Sequence, residues 1–394
     1  MVRCLLIATA LLLSTLSLRA ESVERATLDQ DTIRYIYTPI DQTPKIVEFG
    51  LRLYDYLHLL PDEDKRANIA VVALPAYSIS TGLRLVAVGD IEYRSTLDKS
   101  QIDNLRILAS ASLTGYYDVI IDGHNHFKSK RHSLYYNAAA IVEPSRIYGL
   151  DYTSSSTNNP GLYTNQTINT MVGYSWQTSE WLQLTSELDY RWERASKLNL
   201  RASEIVHDKG AKYSGLGITL SAQFSTLKAT ETYYKHGLHA RISATLRPSF
   251  LSNYKHNLWQ LSTTLGYYQP LWRGALLAAE LYAEHQPHYT PWILRLNIGS
   301  WQHMRGYYPS RYKGNTLMGG QVELRQHIWQ GIVAAVWGGF GTVTSINDPL
   351  AWHKILPDYG AGIRYYTTPT SALHIDFGFG RQSHNILVGL DQRF

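Results

Sequence analysis

Long stretches of this chain alternate apolar and polar residues with a period of two, and nothing else in the sequence restricts its fold as much. Between 181 and 193, Leu182, Leu184, Leu188, Tyr190 and Trp192 share one parity, while Gln183, Thr185, Glu187, Asp189, Arg191 and Glu193 share the other. Successive side chains of a strand point to opposite faces, so this segment has one oily and one charged face. The split recurs at 237–247, where Leu238, Ala240, Ile242, Ala244 and Leu246 oppose His239, Arg241, Ser243, Thr245 and Arg247. It recurs at 371–380, with Leu373, Ile375, Phe377 and Phe379 against His374, Asp376 and two glycines. Strands of soluble sandwiches average about 5 to 6 residues. These run to roughly 10–13, enough to cross a bilayer at a tilt. Backbone groups cannot stay unpaired against lipid, so spanning strands must close on one another.

Sixteen strands are predicted, starting near 68, 82, 105, 118, 132, 164, 181, 213, 237, 257, 273, 317, 331, 358, 371 and 385. The expected fold is therefore all-β: a transmembrane antiparallel barrel of about 16 strands over 67–394. Odd-to-even connectors include the long ones, 146–163, 194–212, 285–316 and 344–357, whereas even-to-odd connectors are mostly short. Outer-membrane barrels show that asymmetry, with long loops outside and tight turns in the periplasm. A mean hydropathy of −0.23 argues against a polytopic helical protein. The excess of 29 Tyr and 10 Trp over 8 Phe suits a membrane–water interface.

The N-terminus reads as an export signal over 1–20: Arg3, an apolar run from Cys4 to Leu16, and Ala20 as the small residue before the cut. Removing Arg3 and Arg19 takes the formal charge from +5 to +3, and no basic patch suggests nucleic acid. With one Cys in 394 residues, neither a disulfide framework nor a cysteine metal site is expected. Residues 21–66 form a periplasmic segment in which Ile46, Phe49, Leu53, Leu57 and Leu60 recur at helical spacing between Pro44 and Pro61. One amphipathic helix is expected there, resting on a neighbouring surface or gating the barrel.

The last strand places Ile386, Val388, Leu390 and Phe394 on one parity, and the aromatic end suits recognition by the machinery that assembles bacterial barrels. Met304-Arg305-Gly306-Tyr307-Tyr308, in the longest loop, resembles the arginine–glycine–aromatic motif of BamA/TamA-type surface-antigen barrels. In that family the motif lies between strands eleven and twelve, as it does here. Further similarities are Glu323-Leu324-Arg325, Gly341-Thr342-Val343, Asn68 to Gly82 with its Leu-Pro-Ala-Tyr-Ser core, and Tyr148-Gly149-Leu150-Asp151. The resemblance covers 67–394 and implies a loop folded into the lumen and locked there by Arg305, Gly306, Tyr307 and Glu323. It also implies a second acid on the following strand. That position is Gly339, so a weaker lock is expected. The alternative is a solvated Arg305. BamA and TamA carry periplasmic POTRA modules, and 21–66 is too short for one, so a barrel-only member is expected.

No catalytic constellation emerges, and neither an enzyme nor a cofactor is expected. Asp122, His124 and His126 share a face that could chelate a metal, but polar lumen residues are the simpler reading, and no metal site is assigned. Glu187 and Asp189 match the lining of a wet lumen. The resemblance implies outer-membrane biogenesis, or insertion or translocation of protein or lipid through a seam between the first and last strands, where Gly389 and Gln392 should weaken pairing. A passive pore and a structural or partner-binding barrel stay open. Expected partners are outer-membrane lipids and lipopolysaccharide, the barrel assembly machinery and a periplasmic protein meeting 21–66.

Overall fold

The computed structural model describes residues 67–78, 80–93, 103–127, 131–156, 159–207, 211–229, 235–300, 302–329, 332–368 and 371–391. The expected leader over 1–20, the expected helix within 21–66 and the terminal Phe394 lie outside these residues. The backbone of Leu390 lies in the last strand.

Alternation becomes a closed sheet. Its long strands are β1 (Ala67–Ser78), β2 (Gly82–Tyr93), β3 (Asp103–Ser112), β4 (Tyr117–His126), β5 (His132–Ile147), β6 (Gly161–Gln177), β7 (Leu182–Ser196) and β8 (Ala211–Ser225). They continue as β9 (Lys235–Arg247), β10 (Leu258–Pro270), β11 (Ala275–His285), β12 (Thr316–Trp329), β13 (Ile332–Thr344), β14 (Leu356–Thr368), β15 (Ser371–Gly380) and β16 (Ser383–Asp391). No start differs from the predicted position by more than three residues. Each strand pairs antiparallel with its sequence neighbours, and β1 also pairs with β16, which closes a 16-stranded barrel. The wall is uneven. β6 has 17 residues, against 10 in β15 and 9 in β16.

The oily parity faces outward. Leu184, Leu188, Ile218, Leu220, Ile242, Leu246 and Val322 are exposed on the outer wall, while Asp189, Glu193, Thr219 and Glu323 on the opposite parity are buried. Exposed rings mark both rims. Phe127, Tyr174, Trp176, Trp181, Trp272 and Trp329 lie at the short-turn end, and Tyr117, Trp259, Phe340, Tyr359 and Phe379 toward the end carrying the long loops. Paired aromatic girdles around an apolar band are the surface that a bilayer selects. Between them the inner wall pairs its charges: Arg247 lies 2.5 Å from Asp189 and Arg241 lies 3.3 Å from Glu187.

Above the wall the long loops build their own cores. Helix α1 (Tyr152–Ser155) is capped by Asp151, which accepts from the Ser154 N–H at 2.7 Å. Helix α2 (Leu200–Val206) is capped by Asn199, which accepts from the Ala202 N–H at 2.8 Å. Tyr152, Tyr282, Leu296, Ile298, Met304, Tyr307 and Tyr312 bury one another with Leu317, Val343 and Leu356, so the loop around the arginine motif packs on the inner wall.

Leu188, 54% exposed at the middle of β7, and lumen-facing Thr185 provide a direct comparison. Leu188→Arg is expected to destabilise the barrel by about 2–4 kcal/mol in vesicles, and Thr185→Arg by much less. Denaturant unfolding in lipid reads both. Equal costs would mean that β7 does not face lipid on the Leu188 side.

Candidate functional site

The 286–315 loop enters the barrel because its backbone turns sharply on both sides of the motif. Its arms pair briefly, Leu296 with Gly314 and Asn297 with Lys313. Met304 (φ 54°) and Ser310 (φ 66°) then adopt left-handed conformations that bracket the buried Arg305, Gly306 and Tyr307. L-residues rarely hold such angles unless surrounding contacts impose them. Here those contacts are an ionic cluster on the inner wall.

Arg305 is 2% exposed. Its Nη2 donates to Glu323 Oε2 at 2.6 Å and its Nη1 to Asp376 Oδ2 at 3.3 Å. The guanidinium carbon stands 3.7 Å from the centroid of the Trp337 ring, a close cation–π contact in a site without bulk water. Glu323 also accepts from Arg325 Nε at 2.7 Å, and Arg364 Nη2 approaches it to 3.1 Å. The Gly306 N–H donates to Asp358 Oδ1 at 2.7 Å, and Trp337 Nε1 donates to the other oxygen at 3.1 Å. Three guanidiniums thus meet three carboxylates on β12, β14 and β15. Each buried charge has an opposite neighbour, as burial demands.

The expected shortage of acids at Gly339 is not found. β13 contributes the Trp337 ring instead, and the second carboxylate comes from Asp376, two strands further round the wall. The sequence did carry a signal for this. Asp376 shares the inward face of β15 with Gly378 and Gly380, and glycines beside an acid mark a place where another backbone comes close. A Cβ added to Gly306 would lie 2.4 Å from the Phe379 carbonyl carbon, and one added to Gly378 would lie 2.7 Å from the Gly306 nitrogen. The two backbones leave no room for side chains. Tyr307, fully buried, donates its hydroxyl proton to the Pro357 carbonyl at 2.7 Å and accepts from the Arg381 N–H at 2.7 Å.

The second element of the site is the seam. β1 pairs with β2 over all of its 12 residues, but with β16 only at Tyr77–Val388 and Ser78–Leu387. Continuing that register would set Ala76 against Gly389 and Leu74 against Asp391, yet among the described residues no pairing forms there. Pro75 removes a donor from β1, and proline is tolerated in strands chiefly at edges. Gly389 offers the facing strand no side chain to pack.

Elsewhere the inner wall holds ordinary polar contacts. His126 Nδ1 lies 3.2 Å from Asp103 Oδ1, and the His124 and His126 rings meet edge to face at 4.3 Å. Asp122 does not join them in a metal-like cluster; no group of three or more such side chains occurs among the described residues.

No protein-family model matches the chain, and no curated protein matches it. Solved structures do. BamA from Haemophilus ducreyi lacking POTRA domains 1–3 aligns with a TM-score of 0.57 and 13% identity, over 83% of this chain and 70% of that one. CdiB from Acinetobacter baumannii aligns at 0.55 and 13%, over 83% of this chain and 60% of that one. CdiB from Escherichia coli aligns at 0.55 and 12%, over 88% and 70%. The fold is that of these bacterial barrels.

Arg305→Ala strands Glu323 and Asp376 among fewer cations and is expected to cost about 3–5 kcal/mol. Gly306→Ala should release the loop as well, because its new methyl has only the β15 backbone to meet. External protease should then cut 286–315 in both variants but not in the parent. Equal resistance would show that the loop is held by something other than this cluster.

Outside the wall, Asp348 ties the 345–355 loop to α1. It accepts from the Thr153 N–H at 2.8 Å and from the Thr153 hydroxyl at 2.9 Å, and it pairs with Lys354. Burial pushes its carboxyl up, but the hydrogen bonds from Lys354 and Thr153 outweigh that and hold it below the usual carboxylate range. A depressed pKa makes this tie complete above the ordinary aspartate value near ~3.9, and it weakens as pH falls below that. Emission from Trp352, 90% exposed on the same loop, should change over that acid window and lose the change in Asp348→Asn. A pH response that survives in Asp348→Asn would assign it to another group.

Proposed function

We propose that this chain is an integral outer-membrane barrel of the BamA/TamA type, exported by a cleaved leader over 1–20, that handles protein or lipid at the seam between β1 and β16. The observation carrying this reading is the seam itself, a ladder of two residue pairs in a wall otherwise joined along its strands. Free strand edges are templates. An extended client segment could add to β1 or β16 through backbone hydrogen bonds, whatever its sequence, and later leave into the membrane. The chain is not an enzyme in this reading. Its contacts are the surrounding lipids and lipopolysaccharide, the assembly machinery that inserts it, and a periplasmic partner at 21–66.

The inward loop supports the same reading over a passive pore. Arg305, Tyr307 and their cluster take up space on the lumen side of the wall, and beside the loop lies a cavity of about 420 Å³ lined by Arg241, Ser262, Glu284, Gln302 and His303.

A disulfide between Ser78→Cys and Leu387→Cys locks the seam, since these residues are paired across it. The oxidised protein should fail to complement a deletion strain, and a reductant should restore it. Full complementation by the locked barrel would exclude lateral exchange. In planar bilayers the parent should conduct weakly and in flickers, and a large steady conductance would favour the pore.

A further inference from the structure

The two paired positions of the seam lie between two anchored turns. On the β1 side, Ser78 Oγ bonds Thr81 Oγ1 at 2.7 Å, and the Thr114 hydroxyl of the β3–β4 turn donates to the Thr81 carbonyl at 2.7 Å. On the β16 side the anchor is Arg381, in the two-residue turn that joins β15 to β16. Its N–H donates to the Tyr307 hydroxyl at 2.7 Å. Its guanidinium donates to the Tyr152 hydroxyl at 3.2 Å, the His353 carbonyl at 2.8 Å and the Ile355 carbonyl at 3.2 Å. One turn is thus tied to the inward loop, to α1 and to the 345–355 loop. The Tyr307 ring also lies against Gly380, where a Cβ would come within 2.3 Å of it. Both anchors stand at the end that carries the long loops, and the stretches with no partner across the seam, 74–76 and 389–391, run from the paired positions toward the opposite end.

We propose that the Tyr307–Arg381 tie makes the loop-bearing end of the seam a fixed pivot, so that β1 and β16 separate from the periplasmic end. The loop lock and the seam are then one device, because the residues that hold the loop inside also hold the turn above the closing strand. This rests on the reading of the seam as a moving part, and it adds which end moves and which residues restrain the other.

Spin-label pairs in the full chain, reconstituted in vesicles of outer-membrane lipid, measure this directly. The 77/388 pair, which leaves the Ser78 hydroxyl in place, should give a narrow distance distribution and the 74/391 pair a broad one. Tyr307→Phe keeps the ring on Gly380 but removes the hydroxyl, and Arg381→Ala removes the guanidinium contacts. Either change should broaden 77/388 toward the width of 74/391, while the barrel stays folded by its heat-dependent gel mobility. A 77/388 distribution that is already broad in the parent, or that keeps its width in both variants, overturns the proposal. The pivot stands if the widths follow this pattern while the disulfide-locked barrel stays fully active. In that case lateral exchange is lost as the function, and the two ideas are separated.

Discussion

A backbone inside hydrocarbon has no water to bond, and an unpaired peptide group there costs several kcal/mol. That constraint organises this molecule. It forces sixteen strands into a closed ladder and sends the oily parity of each strand outward. It also makes the single short ladder, at Tyr77–Val388 and Ser78–Leu387, the place where the wall is held least. Pro75 and Gly389 keep it so, the first by lacking a donor and the second by offering nothing to pack.

Inside the wall a different medium sets the terms. The lumen is polar, and a loop entering it must match charges already placed there. Arg305 does so against Glu323 and Asp376, with the Trp337 face beneath it. Gly306 lets the loop backbone rest on β15, and Tyr307 carries the contact on to Pro357 and the turn at Arg381. These contacts fall on β12 to β15 and the turn into β16. The loop therefore reinforces the wall that leads up to the seam.

The strands were legible because period-two alternation depends only on which side of each strand meets lipid. The partnership of Arg305 with Glu323 was legible too, since the resemblance pointed to the pair and parity set Glu323 inward. Asp376 was not paired with Arg305 in advance. The family pattern pointed to the neighbouring strand, and the true acid lies 71 residues away, brought near only when the barrel closes. Trp337, Asp358 and Arg364 were invisible for the same reason: each is an ordinary inward residue until the loop arrives above it. Gly389 hinted at a weak seam, but its extent depends on a register between the first and last strands that no local pattern encodes.

Backbone amide exchange in lipid vesicles tests most directly whether the seam is the open edge of an otherwise sealed wall. The account predicts that seam-facing amides of β16 within 389–391, which have no β1 partner, exchange far faster than those in the middle of β6 and β7. Uniform protection around the barrel, seam included, would contradict it.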